Sequence, residues 1–343
     1  MRQGKYVLEF QNKPSIIGWS AVTSKKEGDG PLGKGFDMII EDPLFGQKTW
    51  EEAESEFQKT ALGILLDKTA RKSDEIDVVY AGDLLNQCSG SGFAMGIYNI
   101  PFCGIYGACS TSVLAMINAA IAVECGTARR TISATSSHFC SAEKQFRFPL
   151  EYGSQRPPTA QWTVTGAASA MLSSDSEKNC PKIERAIFGR IVDKGVSDVN
   201  NMGAAMAPAA AQTIADFFND TGTQPSDYDI ILTGDLGKVG SELLYELMEK
   251  EYGYNIREFH NDAGMMMYYA DEQDVHAGGS GCACCGTVLC SKILNGLKNG
   301  ELENVLVVAT GALLSTVSPF QGQSIPSIAH GIQISSGRGR KSE

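Results

Sequence analysis

No stretch of this chain comes near the roughly 18 consecutive apolar residues that a membrane-crossing helix needs. Met1 to Gln11 carries no apolar core of the secretory kind. Positive charge is also in short supply: 29 Lys and Arg face 40 Asp and Glu, a net charge of −11. That balance argues against nucleic acid as a partner and against loose adsorption to anionic lipid, but leaves docking onto a membrane protein open. Dense cysteine spacing is missing too. The 10 cysteines are scattered in or beside apolar segments and do not read as a disulfide framework. The expectation is a soluble protein of a reducing interior. Its 343 residues suffice for two ordinary domains or one large duplicated one.

One stretch stands out among what is present. Gly107-Ala108-Cys109-Ser110-Thr111-Ser112-Val113-Leu114 follows a short apolar run and opens the segment Val113 to Cys125, apolar almost all round. A helix without a polar face is a buried helix, and Ser110, Thr111 and Ser112 are N-cap types. Cys109 is thus expected at the positive end of a buried helix, where free N–H groups and the helix dipole favour an anion. That setting lowers a thiol pKa and makes a nucleophile, or it cradles a bound carboxylate. A cysteine that merely fills space is the other reading.

The chain echoes itself. IDVVYAGD at Ile76–Asp83 and YDIILTGD at Tyr228–Asp235 are both strand-like and both continue Gly-Asp-Leu. At a constant offset, Ala108, Cys109, Val113, Leu114, Ala134 and Thr135 match Ala283, Cys284, Val288, Leu289, Ala309 and Thr310. Each copy runs from a Cys-bearing helix into a strand, so two similar α/β halves are expected, with a polar connector at Asp175 to Pro181.

Helical spacing marks Gln47 to Lys68, Ala204 to Phe218 and Glu242 to Lys250. Ile76 to Ala81 and Thr131 to Thr135 read as buried strands. Ligands gather at the carboxyl ends of strands in open α/β sheets, which places Asp83, Ser136, Ser137 and His138 on one edge with Cys109. Asp83 also reads as a cap or turn residue, and His138 as a hydrogen-bonded structural histidine. Phe139 to Thr159, with Pro149, Pro157 and Pro158, is expected as a loop or flap. Its Lys144, Arg147 and Arg156 are the only basic cluster near the site, and each also suits a solvated surface. Phe259 to Gln273 reads as a hairpin or irregular crossover. Gly278-Gly279-Ser280-Gly281 suits an anion cradle, though a glycine turn alone is a weak signal. Cys282 and Cys285 form a CxxC with Cys284 between them and His276 as the one nearby fourth ligand. Without a second CxxC, packed cysteines are favoured over a metal site.

The duplicated halves, the Cys at a buried helix start and the glycine turn before the matching helix resemble the thiolase superfamily, which includes thiolases and ketoacyl synthases. Longer strings are similar to the stage V sporulation protein AD family of spore-forming bacteria: AGDLLNQ at Ala81–Gln87, IYGACSTS at Ile105–Ser112, ATSSH at Ala134–His138, MGAAMAPAAA at Met202–Ala211, GGSGCAC at Gly278–Cys284 and IAHG at Ile328–Gly331. The resemblance implies a thiolase-like, five-layered αβαβα fold made of two similar α/β halves, residues 1–175 and 176–343. It implies binding of dipicolinic acid, or its calcium chelate, within an assembly of other stage V sporulation membrane proteins that moves the acid during sporulation and germination. It also implies a peripheral place at the forespore or spore inner membrane, cytoplasmic otherwise, a homodimer, and no cofactor beyond calcium carried with the ligand.

Carried over residue by residue, Cys109 sits where the superfamily's nucleophile sits, and His330 resembles the position of the second active cysteine of thiolases. The resulting ligand-binding candidates are Asp83, Cys109, Ser136, His138 and His330, with no metal ligands. Two departures stand out. Short-primer ketoacyl synthases carry His-Gln-Ala-Asn after the strand equivalent to Ile230–Thr233, where this chain reads Gly234-Asp235-Leu236-Gly237. The thiolase glycine loop carries a His five residues before its Ser-Gly pair; here that position is Val275, with His276 one place out of register. Condensation needs imidazole and amide donors around the thioester oxygen. A dipicolinate-binding protein with a retired thiolase pocket is therefore expected. The alternatives are a thiolase- or ketoacyl-synthase-like acyltransferase using Cys109, and a scaffold whose pocket is vestigial.

Overall fold

Short apolar runs punctuated by glycine build two arrays of five strands with one design in the computed structural model, which describes residues 2–146, 156–175 and 179–338. In chain order the first half supplies β1 (Val7–Glu9), β2 (Ser15–Ser24), α1 (Trp50–Thr69), β3 (Val78–Gly82), α2 (Ser89–Met95), β4 (Phe102–Gly104), α3 (Thr111–Glu124), β5 (Arg130–Ser137), α4 (Phe139–Phe146) and β6 (Gly166–Ser173). The second half supplies β7 (Lys182–Ile187), α5 (Met202–Thr221), β8 (Ile230–Thr233), α6 (Gly237–Tyr252), β9 (His260–Asp262), α7 (Ala263–Met267), α8 (Cys282–Val288), β10 (Asn304–Ala312) and β11 (Ser327–Ser335).

The arrays run β2-β6-β5-β3-β4 and β7-β11-β10-β8-β9. In both, the first three strands are antiparallel neighbours and the last three parallel ones. The pair Lys182–Ser15 joins them, and β1 adds to the second array through β7. Helices α1 and α2 cover the outer face of the first array, and α5 and α6 that of the second. Helices α3 and α8 lie between the arrays, in a core that draws on both sheets. The result is the five-layered αβαβα arrangement, and it explains why α3 has no polar face: there is sheet on either side.

Local chemistry sets several boundaries. Thr49 starts α1 by a reciprocal capping box with Glu52. Phe57, Ala61 and Leu65 then bury one face of that helix completely. Helix α8 passes without a break into a π-helical segment, Leu289–Ile293, and on into Leu294–Asn299.

Some sequence expectations are corrected. Phe139–Phe146 is a helix, not a flap, and packs Ala142 and Phe146 against Leu84, Cys109 and Cys282. Pro149 and Arg147 lie outside the described residues, as do residues 176–178 of the expected connector. Phe259–Gln273 holds a parallel edge strand followed by a helix capped by Asp262, not a hairpin. The cysteines of the internal echo occupy different places: Cys109 precedes its helix, whereas Cys284 lies inside α8.

Candidate functional site

A tight turn ahead of α3 carries Cys109. Ala108 adopts a left-handed backbone (φ 49°), uncommon for a residue with a side chain. Ser110 Oγ donates to the Gly107 carbonyl and Thr111 Oγ1 to the Ala108 carbonyl, both at 2.6 Å. Cys282 Sγ donates to the same Ala108 carbonyl at 3.0 Å. A Cβ on Gly311 of β10 would lie 2.5 Å from the Gly107 carbonyl oxygen, so only glycine lets the turn sit this close to the strand.

The thiol faces a narrow cavity of about 30 Å³, lined by Leu84, Tyr106, Ala108, Cys109, Ala142, Phe146, Thr163, Met202, Ser280, Ala312 and Leu314. Among the described residues, the polar side-chain groups of that lining are the thiol and three hydroxyls, with no cationic side chain. Ser280 Oγ stands 4.0 Å from Cys109 Sγ. Ser280 Oγ donates to Asp235 Oδ2 at 3.1 Å, and Gly281 N donates to the same oxygen at 3.0 Å. Thr310 Oγ1 donates to Asp235 Oδ1 at 2.7 Å. The glycine turn expected to cradle an anion therefore holds the protein's own carboxylate.

This arrangement sets the electrostatics. Burial pushes the Cys109 thiol well above the ordinary range, and the Asp235 carboxylate pushes it further the same way. Burial likewise raises Asp235, to about 6, against the pull of its donors. The lowered thiol pKa expected from a helix start is thus overturned. Desolvation and a neighbouring negative charge outweigh the partial charge of the helix end.

Among the sequence candidates, Cys109 alone lines the cavity. The other four engage partners within the protein. Asp83 accepts from Leu85 N (2.9 Å), Ser91 N (2.7 Å) and Ser91 Oγ (2.6 Å), tying the loop that leads into α2. Ser136 Oγ donates to Glu54 Oε1 at 3.2 Å. His138 accepts from Cys140 N at Nδ1 (3.1 Å), so its Nε2–H donates to the Pro43 carbonyl (2.9 Å). It borders a different and wider cavity of about 540 Å³, beside Lys26, Phe139 and Trp162. His330, opposite Ala309 on β11, accepts from Gly189 N at 3.2 Å, and burial lowers its pKa to about 4. Of the basic cluster, Lys144 pairs with Glu51 and Arg156 with Asp274. Cys284 and Cys285 are buried in the core, and His276 sits 3.5 Å from Asp274.

Sequence reasoning passed over Asp235 and Thr310 as site residues, and met Ser280 only as part of the glycine turn. One signal pointed to Asp235: it is the repeat-mate of Asp83, standing at the same strand end in the other half.

Comparison with known proteins fits this geometry. A family model for stage V sporulation protein AD matches residues 4–335. Stage V sporulation protein AD of Bacillus subtilis is 43% identical over 329 residues, covering 96% of each chain. Solved structures of similar fold include an OleA variant of Xanthomonas campestris (TM-score 0.61, 14% identity, 96% of this chain and 99% of that one). Another is 3-oxoacyl-[acyl-carrier-protein] synthase III of Aquifex aeolicus (TM-score 0.54, 11% identity, 94% and 99%). At such identities these enzymes share the fold and nothing more is carried over. The repeat architecture, the Cys109 turn and the near-complete family match agree: this chain belongs to the stage V sporulation protein AD family.

Proposed function

We propose that this chain binds dipicolinic acid in the Cys109 cavity, and favours the calcium chelate over the free dianion. It does so as a peripheral subunit of the spore-membrane assembly that moves the acid during sporulation and germination. The observation that carries the reading is the carboxylate beneath the thiol. Asp235 lies in the stretch Gly234-Asp235-Leu236-Gly237, which has neither His nor Asn, and it holds Cys109 in the neutral form. A neutral thiol is a poor nucleophile and a serviceable hydrogen-bond donor. An apolar lining with a few hydroxyls suits a flat ring. Burying two carboxylates there without a cation, next to Asp235, is costly; calcium removes that charge and prefers carboxylate oxygens. The cavity is about one water in size, so a pyridine ring enters when the rim side chains Tyr106 and Phe146 turn outward.

Among the described residues no helix is long and apolar enough to cross a membrane. Membrane attachment therefore runs through partner proteins in this reading, as does the expected homodimer through its own edge. Strand β4 is an outer strand with all three residues exposed, flanked by Phe93 (79% exposed) and Ile97 (59%). An exposed strand edge with apolar neighbours suits pairing with a second copy.

Calorimetry of the purified protein with dipicolinate, with and without equimolar calcium, tests the reading. Heat is expected in both, with tighter binding when calcium is present. Cys109→Ala should weaken binding about tenfold, the worth of one good hydrogen bond, and Thr163→Val, which takes a hydroxyl from the lining, should weaken it in the same direction, both with unchanged circular dichroism. No heat in either condition, or full affinity in both variants, removes the proposal. The left-handed Ala108 turn also presents Cys109 as a nucleophile would need, which keeps acyl transfer as a second reading. Intact mass after incubation with acyl thioesters decides it: no adduct is expected at neutral pH, and an acyl-Cys109 would move the protein to the condensing enzymes.

A further inference from the structure

A chain of buried and half-buried side chains runs from α6 to the turn that carries Asp235. Strands β8 and β9 are parallel neighbours, with Ile231 opposite His260 and Thr233 opposite Asp262. Thr233 Oγ1 lies 2.7 Å from Asp262 Oδ2 and uses its single hydrogen there. Its second contact, 2.8 Å to His260 Nε2, must therefore be received, so Nε2 carries the proton. Nδ1 is then bare, and it accepts from the Tyr245 hydroxyl at 2.8 Å. Every donor in the chain points one way: Tyr245 to His260 to Thr233 to Asp262. Asp262 in turn accepts from Leu236 N (2.8 Å), Gly237 N (2.9 Å) and Met265 N (3.2 Å). Leu236 and Gly237 directly follow Asp235. None of the four side chains lines the Cys109 cavity. Burial keeps the imidazole neutral, with a pKa of about 3, so the one tautomer persists at ordinary pH.

We infer that His260 is a positioning residue: through Thr233 and Asp262 it fixes the turn that holds the Asp235 carboxylate beneath Ser280 and Cys109. The inference rests on the reading of Asp235 as the group that keeps Cys109 neutral. Without the N–H of His260, Thr233 loses the donor that orients its hydroxyl. Asp262 then holds the 235–237 turn less firmly, and the thiol is freer to ionise.

The test is the pH profile of Cys109 alkylation by iodoacetamide, read on the Cys109 peptide by mass spectrometry. Asp235→Asn should raise the rate at pH 8 about tenfold or more, since one unit of pKa is tenfold in thiolate. His260→Leu should raise it at least about threefold. His260→Gln, whose amide N–H reaches the same place, should stay within about twofold of the native rate. Tyr245→Phe is the milder companion should His260→Leu fail to fold, with a smaller rise in the same direction. Nitrogen NMR of histidine-labelled protein should show His260 protonated at Nε2 alone. Acceleration by Asp235→Asn with native profiles in the folded His260→Leu and Tyr245→Phe proteins overturns the role of His260 and spares the reading of Asp235. Equal behaviour of His260→Gln and His260→Leu reduces the residue to packing, and a proton on Nδ1 reverses the chain; either result overturns the inference. No effect of Asp235→Asn removes the reading of Asp235 and this inference together.

Discussion

Three donors, from Thr310, Ser280 and Gly281, converge on the Asp235 carboxylate, and Cys109 lies just beyond. The donors lower its pKa and burial raises it; burial wins, so the group titrates near 6, against 3.8 for a free Asp side chain. A folded state that holds a proton more tightly than the unfolded chain gains stability from it at low pH. That gain is full below about pH 4 and lost as pH rises through about 6, an effect on the order of 3 kcal/mol. Asp235→Asn removes the slope. The urea-unfolding free energy of the variant should gain on that of the native protein by about 3 kcal/mol between pH 4 and pH 7; a constant gap would show that Asp235 ionises without cost. At this scale the sequence was legible only in part. Cys109 stood out by its neighbours in the chain. Asp235 looked like a second Asp83, because what separates them is not local: Asp83 ties a loop eight residues on, whereas Asp235 meets a glycine turn 45 and 46 residues away. His330 and His138 were drawn in by their strand-end positions, yet each ring also meets a backbone group far along the chain, Gly189 N for His330 and the Pro43 carbonyl for His138.

Elements were read more securely than residues. The apolar stripe of α1 and the all-round apolarity of α3 come from periodicity, and periodicity survives folding. Helix α1 also depends on its cap: Thr49→Ala should cost about 1 kcal/mol in chemical unfolding, and an unchanged midpoint would mean the capping box contributes nothing. Elements whose form depends on neighbours were missed. Helix α4 is held by its docking onto Leu84 and Cys282, and β9 exists because β8 lies beside it. Close approach of elements is a further property that composition hides. The Cys109 turn touches β10 only because residue 311 lacks a Cβ, and Gly311→Ala would bring that atom against the Gly107 carbonyl. The expected result is a loss of about 2 kcal/mol, as for overpacking elsewhere, together with weakened dipicolinate binding. Retained binding would show that the turn tolerates displacement.

In the whole molecule, both halves repeat the same strand order and the same switch from antiparallel to parallel pairing. Each sends one helix into the shared middle layer, so the cavity belongs to neither alone: Cys109 comes from the first, and Ser280 and Ala312 from the second. The proposed pairing through β4 predicts a dimer by sedimentation. Phe102→Asp, at a side chain 43% exposed on that edge, should shift the protein to monomer with its fold intact; a native monomer, or a dimer indifferent to Phe102→Asp, places the interface elsewhere. The sequence by itself determined the duplicated α/β design, the buried Cys helix and the family, because repeats, periodicity and motif strings are written along the chain. Only the tertiary structure decided the chemistry of the thiol. That depends on which carboxylate is packed beneath it and how dry the site is, and both follow from contacts between segments far apart in sequence.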